Sequence, residues 1–165
     1  MKAYRRAYQP GGCYFFTVVT HRRVQWLTVD SMRIRLREAL LKVAKQRPFG
    51  IDAFVLLPDH LHAVWRLPQG DCDFSSRWRL IKHHASTGGG PTCAWQPRFW
   101  EHVLRDERDW RRHVDYVHYN PVKHGLARAP GDWPYSTFAR AVGRGWYSPD
   151  WGRSEPPDLP SDVGE

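Results

Sequence analysis

Cysteine is scarce in this chain of 165 residues. There are three (Cys13, Cys72, Cys93), an odd number with no disulfide-framework spacing, which argues against a stapled secreted scaffold. Long apolar runs are missing as well. The longest, such as residues 53–58, fall far short of the roughly 20 residues a membrane helix needs, so no membrane partner is expected. Arginines and tyrosines stand near the start, where a signal peptide would carry its apolar core, so no leader is expected either. What is present is ordinary for a folded domain: 41% apolar and 25% charged residues point to a globular chain in a reduced, cytoplasmic setting.

Acid is the other shortage. Lys and Arg number 25 against 17 Asp and Glu, a net charge of +8, which points to a polyanionic partner and to nucleic acid first. The acids also concentrate at one end. Residues 148–165 carry five (Asp150, Glu155, Asp158, Asp162, Glu165) against Arg153 alone, a net of −4 that leaves +12 in residues 1–147. The chain therefore divides into a basic domain, 1–147, and an acidic, Pro-rich tail, 148–165, expected to be disordered and to compete with a polyanion for the basic body.

Residues 13–20 (CYFFTVVT) are β-branched and aromatic, the pattern of a central strand. Ser31 is expected to cap a helix through Gln46 whose apolar positions are Ile34, Leu36, Leu40, Leu41 and Val43. Strands follow at 51–57 and 61–67, joined by Pro58-Asp59 as a hairpin. A helix over 74–85 turns Trp78 and Ile81 inward and Arg77, Arg79 and Lys82 outward, and a short strand lies near 99–104. Asp106, Glu107 and Asp109 open a last helix that meets Pro121 after Asn120. Strand–helix–strand–strand–helix–strand is the split βαβ order of an α+β, ferredoxin-like antiparallel sheet, with helices on one face, an extra C-terminal helix, and a sheet face left open for nucleic acid.

Two local patterns carry chemistry. His60-Leu61-His62 on a strand sends both imidazoles to one face, which is half of a metal site or simply two histidines beside a turn. In the last helix Trp110, Val114, Val117 and Pro121 form the sheet-facing stripe. Tyr116 and Asn120, four apart, flank it together, either as a functional pair or as an edge tyrosine and a helix-end amide. Tyr119 lies toward solvent on the same wheel. Cys72, His83, His84 and Cys93 lack the C-x2-C spacing of a zinc site, and His102 and His124 read as surface or supporting residues. His113, close to Asn120 on the wheel, is the supporting residue expected nearest the site.

Taken together, these segments resemble the REP-associated tyrosine transposases, a branch of the HUH-superfamily single-tyrosine transposases. The resemblance rests on Tyr4-Arg5-Arg6, on residues 56–62 (LLPDHLH), on residues 95–102 (WQPRFWEH) and on residues 116–126 (YVHYNPVKHGL), spanning roughly residues 4–135. Asp59 stands where the family often has Asn, and Lys123-His124 where Arg-Ala is frequent. The resemblance implies a metal-dependent endonuclease and strand transferase of single-stranded DNA, acting at hairpin-forming repetitive palindromes through a 5′-phosphotyrosine. Tyr116 would be the nucleophile, and His60, His62 and Asn120 would hold Mg2+ or Mn2+. DNA contacts are expected from Lys2, Tyr4, Arg5, Arg6, Arg77, Arg79, Lys82, Arg112 and Lys123. A monomer is favoured over a dimer, working on the nucleoid. The rival reading is a non-catalytic nucleic-acid-binding module on the same sheet; a water-using phosphoesterase is disfavoured because the chain lacks paired H-x-[ST] motifs.

Overall fold

The computed structural model describes residues 6–87, 94–161 and 163–164. Four strands, β1 (Cys13–Val19), β2 (Gly50–Leu56), β3 (His60–Arg66) and β4 (Trp100–Val103), form one antiparallel sheet in the order β2-β3-β1-β4. With α1 (Asp30–Gln46) between β1 and β2 and α2 (Phe74–Ser86) between β3 and β4, this is the expected ferredoxin-like plan. Two further helices follow, α3 (Glu107–Lys123) and the short α4 (Phe138–Gly143).

Alternation along the two central strands builds two cores. Tyr14, Phe16 and Val18 of β1 and Leu61, Ala63 and Trp65 of β3 pack against α1 and α2, with Trp65 stacked on Trp78 at 4.2 Å between ring centroids. Phe15 and Val64 face the other way and join Val114, Tyr116 and Val117 of α3 with Phe138 of α4. The sheet face expected to lie open is therefore covered, because α3 carries apolar and aromatic residues on a wider arc than the predicted stripe: Tyr116 and His118 are buried alongside Val114 and Val117.

Helix ends differ from expectation for local reasons. Ser31 does not cap α1; it lies within the first turn, after Val29, and Asp30 instead pairs with Arg33 at 2.8 Å. Ile34 and Leu41 are half exposed, and Met32 and Ala39 take the inward places beside Leu36 and Val43. Asp106 caps α3 by accepting from the Asp109 N–H at 2.8 Å. Pro121 does not stop that helix. Proline removes only its own donor, and the His124 N–H closes the last turn on the Asn120 carbonyl at 3.0 Å. The acidic tail is also packed rather than loose at several points. Trp151 lies 4.4 Å from Tyr147 ring to ring, and Val163 is buried in the α3-side core.

Arg77, expected to face outward, is buried. Its Nε donates to the Arg47 carbonyl, Nη1 to the Asp73 carbonyl and Asp71 Oδ1, and Nη2 to the Pro48 carbonyl and Asp71 Oδ2 at 2.6 Å, so all three nitrogens are engaged. The guanidinium ties the start of α2 to the end of α1. Arg77→Ala leaves those acceptors stranded and is expected to lower unfolding free energy by about 3–5 kcal/mol in urea titration, whereas Arg79→Ala, on the exposed face, leaves the midpoint within about 0.5 kcal/mol of the parent.

Candidate active site

The β2–β3 hairpin presents the histidines. Leu57 N–H bonds the His60 carbonyl at 2.9 Å, and the Pro58 and Asp59 carbonyls at the tip accept from Leu27 and Thr20. The pleat then sends His60 and His62 to the α3 side while Leu61 enters the opposite core. Their ring centroids are 5.0 Å apart, close to the separation of about 5 Å expected when two imidazoles bind one ion at ~2.1 Å. His60 Nδ1 lies 2.6 Å from Asp59 Oδ1. Burial raises the Asp59 carboxyl, but the His60 hydrogen bond and the Arg23 guanidinium outweigh it and hold the group below the usual range. An ionised Asp59 can only accept, so the proton of neutral His60 sits on Nδ1 and the lone pair on Nε2.

His62 is oriented in the same sense. Its Nδ1 is 2.9 Å from Thr17 Oγ1, and that hydroxyl donates to the Val163 carbonyl at 3.1 Å. With the hydroxyl proton committed there, His62 Nδ1–H is the donor and Nε2 again carries the lone pair. Tyr116, 1% exposed, meets His62 edge-on at 5.2 Å, and Asn120 one turn later is fully buried. His60 Nε2 and Asn120 Oδ1 are both shielded from solvent. Two imidazoles with their Nε2 lone pairs available on one face, and the buried amide of Asn120, are donor types that could hold a divalent ion.

Two neighbours were not legible as part of this group. Lys123 Nζ donates to the Tyr116 hydroxyl at 3.1 Å and lies 5.0 Å from its ring centroid, which the seven-residue spacing along α3 does not announce until the helix is known to pass Pro121. His124 meets His60 at 5.1 Å and shares with it a cleft of ≈180 Å³ rimmed by Arg23, Asp59 and Leu126. Tyr119, expected toward solvent, is half-buried with its ring edge-on to Trp151 at 6.3 Å.

The other predicted residues scatter. Lys2, Tyr4 and Arg5 lie outside the described residues. Arg6 covers the Phe99 ring at 4.2 Å and pairs with Glu101 at 3.6 Å. Lys82 is half-buried rather than outward. It donates to the Gln96 carbonyl at 2.8 Å, and burial, with Arg6 nearby, pulls its pKa down to about 8. Arg112 donates to the Leu159 carbonyl at 2.9 Å and pairs with Asp158, so the tail occupies it. Arg77 is buried and Arg79 exposed. His113 is grouped with His102 and Asp109, and its ring touches Phe15, which also contacts His62 and Tyr116.

Comparison with known proteins places the chain in a family. A REP-associated tyrosine transposase of Escherichia coli K12 is 53% identical over 152 residues, covering 92% of this chain and 91% of that protein. This chain belongs to the REP-associated tyrosine transposases. A Haemophilus influenzae protein named for the same family is 37% identical over 173 residues, 96% of this chain and 97% of that one. The solved structure of a REP-associated tyrosine transposase bound to a REP hairpin superposes with a TM-score of 0.90 at 50% identity, over all of this chain and 98% of the other. No protein-family profile matches the chain. Membership in the REP-associated tyrosine transposases thus extends over the whole fold, α3 and most of the tail included. Among the described residues, no helix is long and apolar enough to cross a membrane.

Proposed function

We propose that this protein is a metal-dependent endonuclease and strand transferase of single-stranded DNA, acting at hairpin-forming repetitive palindromes through a 5′-phosphotyrosine at Tyr116. The observation that carries the reading is the contact chain Lys123–Tyr116–His62–His60, in a family whose relative is seen on a REP hairpin. In this reading Tyr116 acts with His60, His62 and Asn120 of its own chain, and the protein works as a monomer. The basic body supplies phosphate contacts, and the protein works where its DNA lies, on the nucleoid.

His60, His62 and Asn120 would hold Mg2+ or Mn2+, which when bound polarises the scissile phosphate as a Lewis acid. Asp59 and Thr17 keep both Nε2 lone pairs turned to that role. Lys123 holds the Tyr116 oxygen and favours negative charge on it as the hydroxyl proton leaves to solvent. The Oη–P bond forms as the P–O3′ bond breaks, and the 3′ oxygen departs as a hydroxyl after taking up a proton. One phosphodiester replaces another, so a 3′-OH can reverse the step and rejoin strands without a nucleotide cofactor.

The decisive experiment incubates the protein with hairpin DNA plus Mg2+ or Mn2+ and reads covalent adducts on a denaturing gel. Tyr116→Phe removes one oxygen: the adduct is expected to vanish while hairpin binding and melting temperature stay near the parent. Tyr119→Phe, whose ring faces Trp151, retains the adduct. Adduct on Tyr119 by peptide mapping would overturn the assignment, and a protein that binds but never forms an adduct would be the non-catalytic module.

Chelation provides a second check. Excess EDTA, or His62→Ala, should abolish cleavage and leave most hairpin affinity, measured by gel shift. Full cleavage in EDTA removes the metal from the reading.

The tail contributes a third expectation. Arg112 is engaged by Asp158 and the Leu159 carbonyl, and Val163 holds the Thr17 hydroxyl beside His62. A chain ending at Pro157 keeps Trp151 and frees both. Its hairpin affinity should rise several-fold at low salt, with a smaller gain at high salt as screening weakens the competition; an unchanged or weaker affinity would make the tail a folding element instead.

A further inference from the structure

A second group of ligating side chains lies at the start of α3, apart from the histidines of β3. His102 projects from β4, and Asp109 and His113 sit four residues apart on α3, so one helical turn places them over the same strand residue. One ligand atom from each of the three lies within 4.8 Å of the others, and among the described residues this is the only such group of three His, Cys, Asp or Glu side chains. The His102 and His113 ring centroids are 4.8 Å apart with an interplanar angle of 20°. His102 Nε2 stands 3.1 Å from Asp109 Oδ2, close to the ~3.3 Å edge of a tetrahedron built on zinc–ligand bonds of about 2.0 Å.

His113 supplies the independent observation. The residue is 3% exposed, and its Nδ1 donates to the Asp109 carbonyl at 2.8 Å. That hydrogen bond puts the ring's only proton on Nδ1 and the lone pair on Nε2. His113 Nε2 is buried and has no hydrogen-bond partner among the described residues. A buried acceptor left in this state costs about 1–3 kcal/mol, and a cation satisfies it. Burial, reinforced by His102, keeps His113 below the ordinary imidazole pKa against the pull of the Asp109 carbonyl, so the ring stays in its neutral, ligating form. The Asp109 carboxylate is oriented by the Arg105 N–H at 3.1 Å, the kind of outer hydrogen bond that steadies a ligating carboxylate. The His102, Asp109 and His113 side chains are 27%, 19% and 4% exposed.

We propose that His102, Asp109 and His113 form a second metal site, of the zinc class, that ties β4 to the first turns of α3. Two imidazoles and one carboxylate with an open fourth position are the donor set such an ion accepts. The site needs nothing from the β3 histidines and stands whether or not the tyrosine chemistry does.

The test uses the full-length chain carrying His60→Ala and His62→Ala, so that the other imidazole pair is silent. After metal stripping, ZnCl2 is titrated by calorimetry and the melting temperature is followed. One equivalent of Zn2+ is expected to bind and to raise the melting temperature by several degrees. Adding His102→Ala, at the partly exposed rim, should weaken that binding at least tenfold and cancel the thermal shift. Co2+ in place of Zn2+ should give a visible ligand-field band that His102→Ala removes, a readout that does not depend on how stable His113 variants are. Two results overturn the proposal: no Zn2+ binding in the His60/His62 background, or binding and a cobalt band unaltered by His102→Ala. In either case the three residues are a hydrogen-bonded cap on α3 and nothing more.

Discussion

A strand buried on both faces must send every second side chain the same way, and the candidate site of this protein depends on that constraint in β3. Lying between β2 and β1, β3 has six of its seven residues buried. Leu61, Ala63 and Trp65 complete the core under α1 and α2; with that face spoken for, His60 and His62 have only the α3 side available. A one-residue slip would bury both imidazoles among aromatics and expel Trp65 from its stack on Trp78, so the core packing enforces the register that the chemistry needs. The histidines stand on backbone held by neighbouring strands on both sides, and their rotamers are held in turn by Asp59 and Thr17.

The partner surface, α3, is seated with equal care by a buried polar chain on its other flank. Phe54 N–H donates to Thr137 Oγ1, which lies 2.8 Å from His118 Nε2; His118 Nδ1 faces the Tyr147 hydroxyl at 3.3 Å, and that hydroxyl donates to Asp115 at 2.6 Å. Every link has one donor if His118 is neutral with its proton on Nδ1. Burial enforces that state, with Arg140 and Arg111 adding to it, and takes the imidazole pKa down to about 3. Asp115 and His118 are three apart on α3, while Thr137 is bonded to β2, so the chain sets the rotation of the helix about its axis. Tyr116 and Asn120 are carried round by that same rotation. Apolar packing of Val114 and Val117 alone tolerates some roll; a directional network of short hydrogen bonds tolerates far less.

Much of this was readable in the residues because it follows from period and chemistry. The β-branched run of β1, the Pro58-Asp59 turn and the acids opening α3 are local signals, and the HLH alternation is a property of any strand. The Tyr116–Asn120 pairing likewise needs only helical spacing. What was not readable depends on contacts remote in sequence. Arg77 sits on the hydrophilic side of any hydropathy reading, yet Asp71 and three carbonyls make a socket for it. Pro121 reads as a terminator, and only the closed turn through His124 shows that it is interior. Lys123 then reaches Tyr116 because the helix goes on. The second sheet face looked open because the cover of α3 is wider than its Val114 and Val117 stripe: it includes Tyr116 and His118, and His118 is held by Thr137 and Tyr147, 19 and 29 positions away. The tail illustrates the same limit: its Pro-rich, acidic composition predicts disorder, while Trp151 and Val163, too few to register in composition, tie it down.

These constraints bear on the proposal that buried Tyr116 is a nucleophile. A phenol 1% exposed and ringed by Phe15 and His62 loses most of its rotational freedom when the chain folds, so that cost is met by the core rather than at the moment of reaction. A phenol acting as a nucleophile must carry developing negative charge, which calls for a cation beside its oxygen. Lys123 answers this from the following turns of the same helix. It is an exposed side chain whose ammonium reaches the hydroxyl at 3.1 Å, so charge compensation stays in contact with solvent while the ring does not. Tyr116 belongs to the core while the lysine that holds its oxygen is exposed, and α3 supplies both because it runs unbroken past Pro121.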